Sequence, residues 1–397
     1  MSDGIILSIL DTDLYKFTTG YAYAKLFPRA RGRFAFFDRN DTCYPKGFDQ
    51  LVREELVKMS SLRLSKEEAQ FLHRECPYLP PFYIDYLKGY QFDPNEVEVS
   101  QDEEGHLSIV AEGLLYRITM WETPILAIVS ELYYRVTGDT PDLEHVRTQA
   151  IEKGRMMKEH GLQVSIFGMR RRFSSAVEDE ITSLLKSHAG NSLFGTSNVY
   201  FAMKHGIRVT GTHPHEWVQF HGALYGYKMA NYMSMEDWIN VYDGDLGTVL
   251  TDTYTTEVFM RNFSKKHAML FTSLRHDSGD PYLFVDKAVK RYQELRIDPM
   301  LKYLVFSDSL TIPKAIDIKK YCDGKITATF GIGTNLTNDV GHDVEPMNIV
   351  MKLVSCQISP SQPWHYCVKL SDVEGKHIGE LSEIKLAQMT LGIVSNE

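Results

Sequence analysis

M-L-F-T-S-L-R-H-D-S-G-D-P, residues 269–281, is the stretch from which the fold is read. A β-rich run ends at Leu274, the polar loop R-H-D-S-G-D follows, and Pro281 opens a helical pattern at a position where a missing N–H costs nothing. Asp280, just before that proline, is the natural N-cap. The same succession of strand, polar loop and helix recurs from about residue 160 onward. V-S-I-F runs into Gly168, R-V-T into Gly211, G-T-V-L into Thr251, Y-L-V-F into Ser307 and I-T-A-T-F into Gly331. These strand ends are spaced by roughly 24 to 43 residues, which suits βα units of a parallel sheet, and a barrel is a standard way to close so many.

Outward toward the N-terminus the rhythm is mixed. Leu14, Phe17, Tyr21 and Ala24 fall at helical spacing, Asp11 or Thr12 can cap them, and Pro28 follows, which predicts a helix over Thr12–Phe27 with Tyr15 and Lys16 in its first turn. Arg33–Asp38 alternates as a strand, and V-E-V-S and L-S-I-V-A flank a polar turn near Glu104 and Gly105 as a hairpin. Thr123 as cap and Pro124 at the first helical position then predict an apolar helix through about Tyr134, ending near Gly138. The first third is therefore α+β.

The chain has 397 residues, long for one core, so two domains or one large barrel with additions is expected. Lys+Arg 43 against Asp+Glu 52 leaves a net charge of −9 without long runs of either sign, which argues against nucleic acid as a partner. A hydrophobic share of 43% with 24% charged residues is that of a folded globule and not of a disordered chain. The five cysteines are scattered without a C-x-x-C pair, as expected of thiols in a reducing compartment, so a cytoplasmic protein is expected. The N-terminal run lacks a basic leader, and no stretch of about 18 apolar residues occurs, so neither export nor a membrane span is expected.

The polar loops after the strands hold most of the chemistry-bearing residues. In a βα barrel such loops share one rim, so Arg170, His215, Arg275, Asp277, Asp308 and Thr334 are expected to converge on one mouth. Gly331-Ile-Gly333-Thr334 suits close approach of backbone N–H groups to an anion, although a bare G-x-G-T also makes an ordinary tight turn. Arg170, Arg171 and Arg172 concentrate cations behind a strand, as a phosphate fork or as a solvated basic patch, and one or two of the three are expected to reach ligand. Asp277 offers hard oxygens for a sugar hydroxyl or a magnesium-bound water. His213-Pro-His215-Glu216 allows two chemistries: an H-x-H metal site completed by an Asp, or a single nucleophilic or basic His whose tautomer Glu216 fixes. Phe167 and Tyr15 are candidates to stack a flat ring.

These stretches in order resemble the nicotinate phosphoribosyltransferase family in its bacterial and fungal form. The likeness is carried by D-T-D-L-Y-K at Asp11, F-G-M-R-R-R-F-S at Phe167, F-G-T-S-N at Phe194, G-T-H-P-H-E-W at Gly211, L-R-H-D-S-G-D-P at Leu274, V-F-S-D-S-L at Val305, F-G-I-G-T-N-L at Phe330 and K-L-S-D at Lys369. It implies a type II phosphoribosyltransferase: an irregular α/β barrel over residues 151–355 and a second α+β domain, residues 1–150, completed by the tail 356–397. It further implies a homodimer with shared active sites, and a reaction of nicotinate, phosphoribosyl pyrophosphate and ATP, with Mg²⁺, that yields nicotinate mononucleotide in NAD salvage. ATP hydrolysis would be coupled through a phosphohistidine.

Residue by residue, the resemblance implies His215 as the phosphohistidine, with Glu216 and Asp277 beside it in the catalytic set. Tyr15, from the partner subunit, and Phe167 would clamp the nicotinate ring, and Thr212 and Arg275 would contact nicotinate, Arg275 at its carboxylate. Arg170, Arg171, Gly331, Gly333 and Thr334 match phosphate contacts. Asp277 and Asp308 match the ribose or magnesium side, with Mg²⁺ held through substrate phosphates and Asp277 a candidate ligand. Ser197 stands where related nicotinamide enzymes carry Asp, and removing that charge favours an acid as substrate. The resemblance gives His213 no role. Three rival readings are a metal-dependent hydrolase built on His213, His215 and Asp277, a non-catalytic nucleotide-binding protein, and a quinolinate phosphoribosyltransferase; the last would need more cations around the ring.

Overall fold

The computed structural model describes residues 4–341, 344–373 and 375–393. The chain forms two compact units that alternate along the sequence. The first comprises Met1–Tyr21, Phe34–Gly211 and Ile332–Lys352, and the second Ala22–Arg33, Thr212–Gly331 and Leu353–Glu397.

In the first unit, β1 (Arg31–Asp38) lies beside β3 (Leu107–Leu114), which pairs antiparallel with β2 (Val97–Gln101). Val99 faces Ile109 across the hairpin and both are buried, as period-two alternation requires. The turn needs Gly105 twice over: its φ is +100°, and a Cβ there would come 2.8 Å from the Tyr44 carbonyl. The helix Glu122–Thr137 is buried along most of its length and ends on Gly138 in the left-handed conformation. It has no side-chain cap, contrary to the reading of Thr123, because helical turns over Leu115–Ile118 and Thr119–Trp121 run directly into it and supply the backbone that a cap would replace. β4 (Val164–Ile166) and β5 (Leu193–Thr196) form a parallel pair, connected through the helix Ser175–Ala189, which Ser174 caps.

The second unit holds four parallel strands, β6 (Thr248–Leu250), β7 (Ser273–His276), β8 (Tyr303–Phe306) and β9 (Thr327–Ile332), each paired with the next. One row of the pleat runs through Val249, Leu274, Leu304 and Ala328, all buried. Parallel pairing puts the loops after β6, β7 and β8 at one end, which is why Thr251, Arg275 and Ser307, far apart in sequence, become neighbours. Helix Pro281–Glu294 starts as its sequence predicts: Pro281 is its first residue, and the Asp280 carboxylate accepts from the N–H groups of Tyr282 and Leu283. β10 (Ile349–Gln357) pairs antiparallel with the short β11 (His365–Tyr366). The tail 356–397 is expected with the N-terminal domain, whereas Leu353–Glu397 groups with the second unit, of which positions 374 and 394–397 lie outside the described residues. Val368, Leu370, Ile384, Ala387 and Leu391 of this tail share a core with Val218, Tyr227, Tyr254 and Val258.

The α/β class, with a parallel region and a separate antiparallel one, stands as expected. Two strand readings shift. R-V-T forms only a single parallel bridge, Thr196 to Val209, and F-G-T-S-N supplies the strand β5 instead. Gly195, which weakens the strand signal of that stretch, is there because a Cβ would come 2.2 Å from the Arg208 carbonyl. The run M-L-F-T-S-L divides, since Ser264 caps a helix over Lys265–Leu270 and the strand begins only at Ser273.

Candidate active site

The densest polar cluster of the second unit is built from loop ends. His215 is the first residue of the helix His215–Tyr225 and is buried. Its Nδ1 lies 2.9 Å from Thr253 Oγ1, and its Nε2 lies 3.0 Å from Asp277 Oδ2 and 2.8 Å from Lys369 Nζ. Asp252 Oδ1 is 3.7 Å from the same Nε2. Burial and then the Lys369 ammonium push the imidazole down to about 4, against the pull of Asp252 and Asp277, so His215 is neutral at pH 7.

Arg275, on β7, is locked on three sides. Its Nε donates to Ser307 Oγ at 2.8 Å, Nη1 to Thr212 Oγ1 at 2.6 Å and Nη2 to Asp277 Oδ1 at 2.6 Å. Asp277 Oδ1 also accepts from Ser307 Oγ at 2.7 Å. Burial opposes the Asp277 charge, but Arg275, His215 and Lys369 together hold its carboxyl well below the usual carboxylate range. Asp252, wholly buried, receives Ser278 Oγ at 2.6 Å and is held ionised against its burial by Lys369 and His215. The result is two carboxylates, two cations and one neutral imidazole around a common centre.

Several sequence expectations change at this site. Glu216 neighbours His215 in a helix, where residues i and i+1 do not face each other, and the ring nitrogens face Thr253, Asp277 and Lys369 instead. His213 stands outside the cluster: it is buried edge-on against Trp238, ring centroids 4.9 Å apart, and burial pushes it down to about 3. The only His/Asp group with metal-ligand spacing among the described residues is His215, Asp252 and Asp277. The hydrolase ligand set of His213, His215 and Asp277 is thus not assembled. Asp308 is half-buried and accepts from Lys376 Nζ at 3.1 and 3.3 Å. Asp252, Thr253, Ser307 and Lys369 were not among the sequence candidates. Ser307 and Lys369 sit in the motifs V-F-S-D-S-L and K-L-S-D, and Asp252 and Thr253 in the loop that G-T-V-L runs into, but no local pattern tells which of these residues turns inward.

The first unit carries a second cluster. Ser197, just after β5, donates to Asp13 Oδ1 at 2.6 Å and lies within 3.2 Å of the Ile166 carbonyl at the end of β4. Arg170 approaches Asp13 at 3.7 Å and Glu122 at 3.9 Å. Burial drives the Asp13 carboxyl upward, against Arg170 and Ser197. The Tyr15 hydroxyl donates to Glu122 at 3.1 Å, and Lys16, in contact with the same carboxylate, lies 4.6 Å from the centre of the Tyr15 ring. Burial resists the Glu122 charge, but Lys16, Lys352 and Arg170 bring it down to about 2.

The three arginines differ in kind. Arg170 and Arg171 are half-buried, whereas Arg172 is wholly enclosed and binds Asp11 at 2.9 and 3.0 Å, Glu178 at 3.1 Å and the Ile5 carbonyl at 3.2 Å. Arg172 is therefore a structural anchor. Burial together with repulsion from Arg170 and Arg39 lowers Arg171 to about 10. Phe167 donates its N–H to the Ile332 carbonyl at 2.8 Å, which sets its loop beside the Gly333–Thr334 turn. Gly168 is obligatory in that contact, since a Cβ would fall 2.0 Å from Thr337 Oγ1.

Comparison with known proteins agrees over nearly the whole chain. The nicotinate phosphoribosyltransferase (NAPRTase) family model matches residues 162–387, and the model of that family's N-terminal domain matches residues 10–130. The nicotinate phosphoribosyltransferase of Chromohalobacter salexigens is 45% identical over 389 residues, 97% of this chain and 98% of that protein. The crystal structure of nicotinate phosphoribosyltransferase from Porphyromonas gingivalis superposes with a TM-score of 0.97 at 68% identity, over 98% of this chain and all of that one. A yeast structure described as a putative nicotinate phosphoribosyltransferase gives 0.92 at 31% identity, over 99% of this chain and 100% of that one. Among the described residues no helix is long and apolar enough to cross a membrane.

Proposed function

The chain belongs to the nicotinate phosphoribosyltransferase family, and from that premise we propose that His215 is the residue through which ATP hydrolysis is coupled to the synthesis of nicotinate mononucleotide from nicotinate and phosphoribosyl pyrophosphate. The observation that carries this reading is the state of His215: neutral, held at both nitrogens, and bordered by the Lys369 ammonium, a cation suited to an incoming phosphoryl group. A neutral imidazole has the lone pair that a phosphoryl acceptor needs.

Phosphoribosyl transfer is displacement at the anomeric carbon through an oxocarbenium-like state. The pyridine nitrogen is already nucleophilic, so the protein's part is to position it and to neutralise charge growing on the departing pyrophosphate. In this reading Arg275 and Thr212 receive the nicotinate carboxylate, and the three hydrogen bonds that fix the guanidinium support it by holding the fork in one plane. Phe167 and a partner subunit's Tyr15 clamp the ring in a homodimer with shared sites. Arg170, Arg171, Gly331, Gly333 and Thr334 receive phosphates, and Asp308 the ribose side. Ser197 supports the acid as substrate for a reason beyond its lack of charge: its hydroxyl hydrogen-bonds Asp13, whose burial favours the uncharged form.

The donor set also fits Mg²⁺ brought in on phosphate. Asp252 and Asp277 are the hard oxygen ligands that would hold it, but Lys369 and Arg275 balance both carboxylates, so a bare dication gains little until phosphate adds negative charge. When bound, the ion supplies neutralisation of pyrophosphate charge. The test is mononucleotide formation with nicotinate and, separately, nicotinamide, each with phosphoribosyl pyrophosphate and Mg²⁺. Product from nicotinate alone is expected; equal turnover of nicotinamide would contradict the Ser197 reading, and no product from either ring would overturn the assignment.

A further inference from the structure

Lys369 is the cation of the cluster to which neither sequence candidates nor family likeness assigns a role. It is 7% exposed, an uncommon state for a lysine, and its position is fixed from three directions. Its backbone exchanges hydrogen bonds with Ile378 at 2.8 and 2.9 Å, the next residue's N–H binds the Thr253 carbonyl at 2.8 Å, and the side chains on either side, Val368 and Leu370, are held in the hydrophobic core. Alternation along extended backbone then sends the Lys369 side chain the other way, to His215.

Its choice of partner is informative. A lysine buried only for stability would sit directly on a carboxylate, yet its ammonium is 3.8 Å from Asp252 Oδ2 and only 2.8 Å from the imidazole nitrogen His215 Nε2. An ammonium has three donors and no acceptor, so its contact calls for the Nε2 lone pair with the ring proton on Nδ1 toward Thr253 Oγ1, whereas the Asp277 carboxylate, 3.0 Å from the same Nε2, calls for an N–H there. Lys369 and Asp277 thus compete at one nitrogen, and the closer Lys369 contact is the one that favours a free lone pair there.

Resting on the phosphohistidine reading of His215, we infer that Lys369 is a catalytic residue of ATP coupling: it selects the tautomer in which Nε2 is the nucleophile and then binds the phosphoryl oxygens as they arrive. In the step, the Nε2 lone pair forms a bond to the γ-phosphorus of ATP, and the bond from that phosphorus to the β,γ-bridging oxygen breaks. The electron pair leaves on ADP, and the Nδ1 proton stays on its hydrogen bond to Thr253. As the P–N bond forms, the ammonium exchanges the nitrogen for phosphoryl oxygen, a stronger, charge-assisted partner.

The test labels the full-length protein with [γ-³²P]ATP and Mg²⁺, quenches in base, and follows the rate of protein-bound label. The unsubstituted protein is expected to label and His215→Ala not to. Lys369→Met should label about a hundredfold more slowly, the scale of one lost charge-assisted donor in a transition state. Lys369→Arg, which restores the charge, should recover a measurable part of that rate. Should Lys369→Met fail to fold by thermal unfolding, Lys369→Gln takes its place. Labelling of the Met or Gln variant at the full rate, or an Arg variant no faster than they are, overturns the role of Lys369 alone. No label on the unsubstituted protein overturns the phosphohistidine reading and this inference with it.

Discussion

Replacing Arg275 by alanine removes hydrogen bonds to Thr212, Ser307 and Asp277 and the cation closest to the Asp277 carboxylate. Truncating the protein's side of a hydrogen-bonded charge pair made with a binding partner costs about 2–5 kcal/mol of binding, and in this reading the partner is the nicotinate carboxylate. Arg275 itself is partly exposed, so the lower part of that range applies, about 2–3 kcal/mol. At about 1.4 kcal/mol per tenfold, kcat/KM for nicotinate falls roughly 30- to 150-fold. Because the proposed contact is to the substrate carboxylate, most of the loss appears as a raised nicotinate KM. Arg275→Lys recovers only part of it, since an ammonium cannot reach three fixed partners as a planar fork does. Initial rates of mononucleotide formation over a nicotinate series, at saturating phosphoribosyl pyrophosphate, measure this directly. An unchanged nicotinate KM in Arg275→Ala would refute the placement of Arg275 at the carboxylate.

Two further outcomes concern stability. Arg172→Met leaves Asp11 and Glu178 buried without their cation, and the urea-unfolding free energy should drop by about 3–5 kcal/mol; a change under about 1 kcal/mol would show that the pair is dispensable. The buried histidines give stability a pH dependence of known sign. His213 and His215 are held to about 3 and about 4 in the fold, against 6.5 for an ordinary His, so below pH 6.5 the unfolded chain binds more protons and stability declines on acidification until the folded values are passed. At pH 5 the loss is about 2 kcal/mol per histidine relative to pH 7.5. The urea midpoint should therefore fall over that interval and fall less in His213→Leu; identical slopes in both proteins would contradict the assignment.

Much of this architecture was legible as local pattern. β-rich runs closed by Gly, Ser or Thr marked β6, β8 and β9, and Asp280-Pro281 marked a helix start, because strand propensity and capping depend on near neighbours. β5 was missed because Gly195, imposed by the Arg208 carbonyl, weakens its strand signature. The helix at Glu122 was given a cap it lacks, since only the preceding turns decide whether a cap is needed. At the site, motif loops led to His215, Arg275 and Asp277, whereas Lys369 reaches His215 across 154 residues of chain through packing that no local pattern contains. Arg170 and Arg172 illustrate the same limit: identical and two apart, one is half-exposed beside Asp13 and the other is sealed between Asp11 and Glu178.

The measurement that tests the central claim most directly is the rate of nicotinate mononucleotide formation with and without ATP, in the unsubstituted protein and in His215→Ala. ATP is predicted to accelerate the unsubstituted protein and to leave His215→Ala at one slow rate, equal with and without it. Equal rates in the unsubstituted protein, or ATP stimulation that survives the loss of His215, would contradict the account.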